Sequence, residues 1–437
     1  MEVKPGYKQT GAGVIPVDWE STTVAQIASP ARNALVGGPF GSDLGSKDYV
    51  DEGVPVIRGQ NMGVRFVSGS FVFVAPGKAT SLESNLARPG DLVFTQRGTL
   101  GQVSLVPTRP YDRYLVSQSQ MKLTVNRKIA DPLFFYYVFS SRDQQDFIRK
   151  NTIQTGVPHI NLGILREVPV QRPSLTEQEV IAEALGDADA LIESQEQLIE
   201  KKRRLKQGAI QELLSGKKRL PGFGGNGWKK SEIGDLPTDW RILEIGQIAN
   251  VRTGPFGSSL HERDYVDDGT PIITVEHLGE RGIMHANLPM VSNTDRKRLI
   301  SYSLEEDDIV FSRVGSVDRN ARVSGTERGW LFSGRLLRLR PFVPDVNTSY
   351  LSYHFHSEPF KQRVKAVAVG QTMASLNTRI LKGVLVMLPS LAEQTAIADF
   401  LSDMDAEIQA LECKLAKARQ LRQGMMQDLL TGRIRLV

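Results

Sequence analysis

The chain has 437 residues, of which 40% are hydrophobic and 24% charged, and a net charge of +5. That balance is globular and long enough for two or three domains, and its basic sign suits a polyanionic partner such as nucleic acid. A single cysteine, Cys413, excludes an internal disulfide and any cysteine-built metal cluster. No run approaches ~20 consecutive apolar residues and the start, MEVKPGYKQTGAG, carries no apolar leader, so no membrane helix and no secretory signal are expected, and the expected location is cytoplasmic.

In chain order, the first distinctive phrase is GPFGS at 38–42. Segments of alternating or apolar type follow, VPVIRGQNM, RFVSGSFVFV, DLVFTQRG and LVSQSQMKLTVN, and each reads as strand. DPLFFYYVFSSRDQQDFIRK at 131–150 reads as one amphipathic helix with a basic end. Ser174-Leu-Thr-Glu177 after Pro173 is a capping box. Its serine accepts from the third helical N–H while the glutamate reaches back. The helix it opens runs about 40 residues, ~60 Å at 1.5 Å per residue, to a glycine stop at LLSG216. The Gly-rich, basic stretch at 216–230 reads as an exposed linker.

The chain then repeats itself. GPFGS returns at 254–258, KDYVDEGVPVI at 47–57 returns as RDYVDDGTPII at 263–273, and PSLTEQEVIA at 173–182 returns as PSLAEQTAIA at 389–398, all at an offset of 216 residues. The opening GYKQTGAGVIPVDW at 6–19 matches GWKKSEIGDLPTDW at 227–240 at an offset of 221. The chain is two copies of one unit, each a mixed sheet-and-helix part followed by a long helix. The second helix carries Ile397, Leu401, Met404, Ile408, Leu411, Leu415 and Ala418 at steps of 4 and 3, a coiled-coil seam. In the first, Ile181, Leu185, Ala188, Ile192 and Ile199 hold equivalent places, interrupted by Gln195 and Lys202.

Charge sets how the helices pair. The first carries acids and no base from Glu177 to Glu200 and is basic from Lys201 to Lys206; the second is acidic from Glu393 to Glu412 and basic from Lys414 to Arg422. Only an antiparallel pairing sets each acidic half against a basic one. The alternative is two independent amphipathic helices, each packed on its own domain.

Chemistry-bearing motifs are missing. There is no GxxxxGK[ST] phosphate loop, no HExxH, no GxSxG elbow and no NPPY tetrapeptide. Asp187, Asp189, Asp403 and Asp405 fall on the long helices at solvated-face spacing. A binding protein with two similar domains fits better than an enzyme, and no cofactor is expected.

The duplicated halves, the GPFGS openings, the DLVF-type strands and the P-S-L-x-E-Q-x-x-I-A entries to long helices resemble the specificity subunit of type I restriction–modification enzymes, over essentially the whole chain. The resemblance implies an α+β fold of internal, pseudo-twofold duplication: two target-recognition domains separated by two long antiparallel coiled-coil helices. It places the first recognition domain at 1–172, the first spacer helix at 173–216, a linker at 217–235, the second recognition domain at 236–388 and the second spacer helix at 389–437. It also implies that each domain reads one half of a bipartite site on double-stranded DNA. Two methyltransferase subunits would dock on the helices, and motor–nuclease restriction subunits would join through the complex. The chain itself would be non-catalytic, with no membrane role. The rival reading from the residues alone is a tandem interaction scaffold with no DNA role.

The repeat filters candidate DNA contacts. Residues shared by both copies suit scaffold or phosphate contacts, and residues that differ suit base reading. Arg97 and Arg313 follow matching strands and are candidates for a shared contact. The variable polar stretches RGQNMGVR at 58–65 against TVEHLGER at 274–281, and RYLVSQSQ at 113–120 against WLFSGRLL at 330–337, suit base edges. The remaining candidates are Arg58, Gln60, Asn61, Gln118, Gln120, His277, Arg281, Arg319 and Arg335. In GPFGS itself, Gly41 and Gly257 are expected to supply backbone angles that other residues resist.

Overall fold

The computed structural model describes residues 4–154, 158–224, 227–255, 260–369 and 374–437. They form two compact units, Met1–Glu196 with Cys413–Val437, and Gln197–Glu412. Each unit therefore contains the start of one long helix and the end of the other. The helices are Leu175–Leu214 and Leu391–Leu429.

In the first unit, an antiparallel sheet orders the strands Val103–Leu105, Leu92–Thr95, Gln120–Leu123 and Leu35–Gly37. A second, mixed sheet orders Tyr49–Val50, Val72–Val74, Val54–Ile57, Tyr114–Val116 and Leu86–Ala87. Its one parallel pair among the described residues joins Val54–Ile57 to Tyr114–Val116. The apolar run LVFT of Leu92–Thr95 is buried throughout, as a strand covered on both faces requires. The stretch LVSQSQMKLTVN is not one strand. A turn at Ser117–Gln120, closed by the Gln120 N–H donating to the Ser117 carbonyl at 3.0 Å, sends Tyr114–Val116 into one sheet and Gln120–Leu123 into the other.

The second unit repeats this plan. Ala249–Thr253, Leu336–Pro341, Ile309–Ser312 and Asn320–Arg322 form the antiparallel sheet. Thr270–Ile273 and Leu331–Phe332 form the parallel pair.

The helix expected over 131–150 is two, Pro132–Ser140 and Arg142–Lys150. Ser141 between them is extended and its hydroxyl caps the second helix at Gln144 N–H. Ser357 breaks the counterpart with the same extended backbone, its hydroxyl donating to the His354 carbonyl at 2.7 Å and Pro359 standing in the first turn of the following helix, where its missing N–H does no harm. The first of these helices, PLFFYYVFS, is buried on nearly every side. Its rings pack with Ile181 and Leu185 of one long helix and with Leu429 and Leu430 at the end of the other in a single core.

The long helices explain the PSLxEQ phrase residue by residue. Ser174 and Ser390 cap them, accepting from Glu177 N–H at 3.2 Å and Glu393 N–H at 3.3 Å. The glutamates, expected to reach back, turn instead into the domain. Glu177 accepts from Trp19 Nε1 at 3.0 Å and pairs with Arg435; Glu393 accepts from Trp240 Nε1 at 3.2 Å and pairs with Arg219. A buried indole N–H needs an acceptor, and the guanidinium offsets the buried charge. The glutamines hold the same domains, Gln178 donating to the Ile129 carbonyl at 3.0 Å and Gln394 to the Asp345 carbonyl at 3.0 Å. Gly216 and Gly432 end the helices at φ +70° and +68°, as left-handed C-terminal glycines do. Arg219 lies in the stretch read as an exposed linker, and it is docked on Glu393 and, at 2.8 Å, on Asp239.

Within each unit the helix segments run antiparallel. In the first, Asp189 meets Arg422 at 2.5 Å and Glu196 meets Arg419 at 2.5 Å. In the second, Lys202 meets Glu407 at 2.7 Å and Lys206 meets Asp405 at 2.6 Å. Numbers rise on one helix as they fall on the other, and acid faces base in each pair.

Candidate nucleic-acid interface

The same edge is built in both units, at the carboxyl ends of the parallel strands, where α/β sheets commonly hold ligands. In the first unit the pairing Val56 with Leu115 and Ile57 with Val116 continues one step further, with the Ser117 N–H donating to the Ile57 carbonyl at 3.0 Å. Beyond it, a one-turn helix Gly59–Asn61 and the Ser117–Gln120 turn leave the strands side by side. In the second unit Ile272 pairs with Leu331 and Ile273 with Phe332, Ser333 N–H donates to the Ile273 carbonyl at 2.9 Å, and Val275–His277 forms the one-turn helix.

The first glycine of each GPFGS packs under this edge. A Cβ on Gly38 would fall 1.9 Å from the Ser117 carbonyl oxygen, and one on Gly254 would fall 2.1 Å from that of Ser333. Neither position tolerates a side chain, so the first glycine of the phrase is there for close backbone approach. Gly41 has φ +54°, a left-handed angle that suits glycine; Gly257 lies outside the described residues.

Several candidate side chains hold this frame and do not project from it. Asn61 is 1% exposed; its Oδ1 accepts from Arg58 N–H at 3.1 Å and its Nδ2 donates to the Ser70 carbonyl at 3.0 Å. His277, at the matching position, uses Nδ1 to accept from Thr274 N–H at 3.0 Å. An asparagine and a histidine thus close the same turn, and reading them as base contacts confuses a buried cap with a variable polar surface. Gln120 is fully buried and bonded to the Ser117 hydroxyl. Gln118 Nε2 donates to the Gly41 carbonyl at 2.6 Å and the Leu44 carbonyl at 3.1 Å, bracing the GPFGS loop. Arg319 Nη2 donates to the Leu278 carbonyl at 2.5 Å and Arg313 Nη1 to the Gly334 carbonyl at 3.4 Å.

Other candidates face outward. Gln60 is exposed, with one bond to the Ser70 carbonyl at 3.3 Å. Arg58 is half-buried at the root of the same turn. Arg97 and Arg335 are exposed, and among the described residues neither side chain has an ion pair or hydrogen bond. Arg97 N–H donates to the Ser119 carbonyl at 3.4 Å and Arg313 N–H to the Arg335 carbonyl at 2.8 Å, so the loop after each matching strand abuts the edge.

The profile of the type I restriction modification DNA specificity domain matches residues 48–201 and again 237–418. The chain belongs to this specificity family. The specificity subunit of the type I restriction enzyme MjaVIII from Methanocaldococcus jannaschii is 24% identical over 326 residues, covering 74% of this chain and 75% of that protein. The StySPI specificity subunit from Salmonella potsdam is 23% identical over 445 residues, covering 97% and 90%. In fold, the chain resembles the crystal structure of the type I restriction–modification S subunit from M. genitalium, with a TM-score of 0.58, 17% identity and 98% of both chains covered.

In this member of the specificity family Arg281 is a structural tie. It bonds Glu412 at 3.0 Å and lies 3.8 Å from Asp405, both on the long helix of its own unit. The bond from Glu412 holds the Arg281 guanidinium above its usual range, and the same bond holds the Glu412 carboxyl below its own. Asp405 also accepts from Tyr353 Oη at 2.9 Å and Lys206 Nζ at 2.6 Å; burial, with Asp405 beside it, pushes the Tyr353 phenol up to about 12. The first unit of this specificity chain repeats the node with Asp189, Tyr137 at 2.7 Å and Arg422. Side chains that sequence reasoning passed over stand on the exposed edge itself. Glu276 lies within the flagged stretch TVEHLGER and is exposed and unpaired among the described residues; Ser119 lies within RYLVSQSQ.

Proposed function

We propose that this chain is the DNA-reading specificity subunit of a type I restriction–modification system, with no catalysis of its own. Each unit reads one half of a two-part, asymmetric target through the edge beyond its parallel strands. The long helices set the gap between the halves and dock two methyltransferase subunits, and the restriction subunits join through that complex in the cytoplasm. Among the described residues no helix is long and apolar enough to cross a membrane.

One observation carries this reading. The two units build the same backbone edge and place different side chains on it, Arg58, Gln60 and Ser119 in one and Thr274, Glu276 and Arg335 in the other. A common frame with exchanged polar groups suits two different base sequences. Arg97, exposed beside the first edge, is assigned to phosphate.

The test is genome-wide mapping of methylated adenines in cells carrying this chain with its methyltransferase subunit. A two-part consensus with unlike halves is expected. Methylation without a two-part consensus would overturn the proposal.

A further inference from the structure

The second unit contains a cleft of about 850 Å³ at the carboxyl ends of its parallel strands, open between Arg335, Glu276, His261 and Asn287. Glu276 and Arg335 each stand three residues past the last parallel pair, Ile273 with Phe332, on the two turns that line this cleft. Glu276 rides on the turn that His277 closes; the Arg335 backbone is held by Arg313 N–H on its carbonyl at 2.8 Å and by the Leu336 N–H donating to the Ser333 carbonyl at 3.0 Å. Both side chains leave fixed backbone. They carry opposite charges on the lining of one cleft, and among the described residues neither has an ion pair or hydrogen bond.

Resting on the DNA-reading role proposed above, we infer that this cleft reads a single G·C base pair in the major groove, Arg335 on the guanine and Glu276 on its paired cytosine. Guanine offers the O6 and N7 acceptors that a guanidinium fork fits, and cytosine offers the N4 donor that a carboxylate accepts. Inverting the pair sets the N4 donor against arginine and O6 against glutamate. Replacing it by A·T sets the adenine N6 donor against arginine and thymine O4 against glutamate. Each of these two opposes like groups, so the pair of side chains rejects as well as selects; T·A keeps an acceptor for arginine and a donor for glutamate and is disfavoured by offering the guanidinium fork one acceptor, O4, where guanine offers two. At the positions that match Glu276 and Arg335 in the repeat, the first unit carries Gln60 and Ser119, so its half-site is not read by this charge pair.

The experiment is selection from a pool of duplexes with a randomised interior by the purified full chain at fixed salt, followed by sequencing. The wild-type chain must first yield a two-part consensus; if it does not, the DNA-reading role fails and the base assignment with it. Given that consensus, Arg335→Ser and Glu276→Gln are each expected to relax the same single G·C column of one half, by about tenfold to a hundredfold. The other half stays intact. Arg335→Lys keeps the charge and loses the fork, so the guanine preference falls while the salt dependence of binding is kept. An unchanged column, two different columns for the two variants, or loss of the entire half-site would each overturn the base assignment and leave the wider role standing.

Discussion

Arg435→Met isolates the clasp that ties a long helix to its recognition domain. The Glu177 side chain is 2% exposed and accepts hydrogen bonds from Trp19 Nε1 and from the Arg435 guanidinium. Removing the partner of a buried charge costs about 3–5 kcal/mol. Arg435 is itself 34% exposed, so water reaches the vacated position and the figure is discounted toward the scale of a charge-assisted hydrogen bond, about 2–3 kcal/mol in all. Urea unfolding reads this as a lower midpoint at unchanged slope. Adding Glu177→Gln removes the stranded charge while the amide oxygen still accepts from Trp19, so the double variant regains at least half of the loss. Arg219→Met repeats the effect in the second unit, where Glu393, Trp240 and Asp239 form the same clasp. An Arg435→Met chain within about 0.5 kcal/mol of wild type, or a double variant no more stable than the single, would refute this reasoning.

Two further outcomes follow from the same geometry. His354 is buried against Arg363, and burial pushes its imidazole down to about 3. The unfolded chain takes up that proton near pH 6.5, so stability falls as pH drops below that value, by ~1.4 kcal/mol per pH unit. Replacing the pair with the first unit's Val and Phe, His354→Val with Arg363→Phe, is expected to remove this loss in urea midpoints compared at pH 7 and pH 5.5. An equal pH response in both chains would contradict it. Arg97→Ala is expected to weaken duplex binding alike for all sequences and to lower the slope of log affinity against log salt by about 1; a change in the selected sequence at constant slope would contradict the phosphate assignment.

The duplication, the helix entries and the pairing sense of the helices were legible because they rest on spacing and charge sign, which survive in one dimension. The capping serines at 174 and 390 and the stops at Gly216 and Gly432 follow local rules. What was not legible depends on contacts across long separations. Glu177 obeys the capping-box pattern, but Trp19, 158 residues away, supplies a buried N–H that captures it. Asn61 and His277 look like variable polar surface until each is seen to close the same turn from the inside. Arg281 sat in a variable stretch and proved tied to Glu412. The stretches singled out by their divergence between copies flank the edge. Which side chain in each points outward is decided at a turn, where neither the period of a strand nor that of a helix applies, and so Glu276 went unnoticed beside His277.

The claim that each unit reads its own half of the target is tested most directly by exchange. Residues 20–172 are replaced by the corresponding domain of another specificity subunit, and the sites methylated by the resulting complex are mapped. The account predicts that one half of the consensus changes to that of the donor while the other half and the gap remain. A consensus that changes in both halves, or in neither, would contradict it.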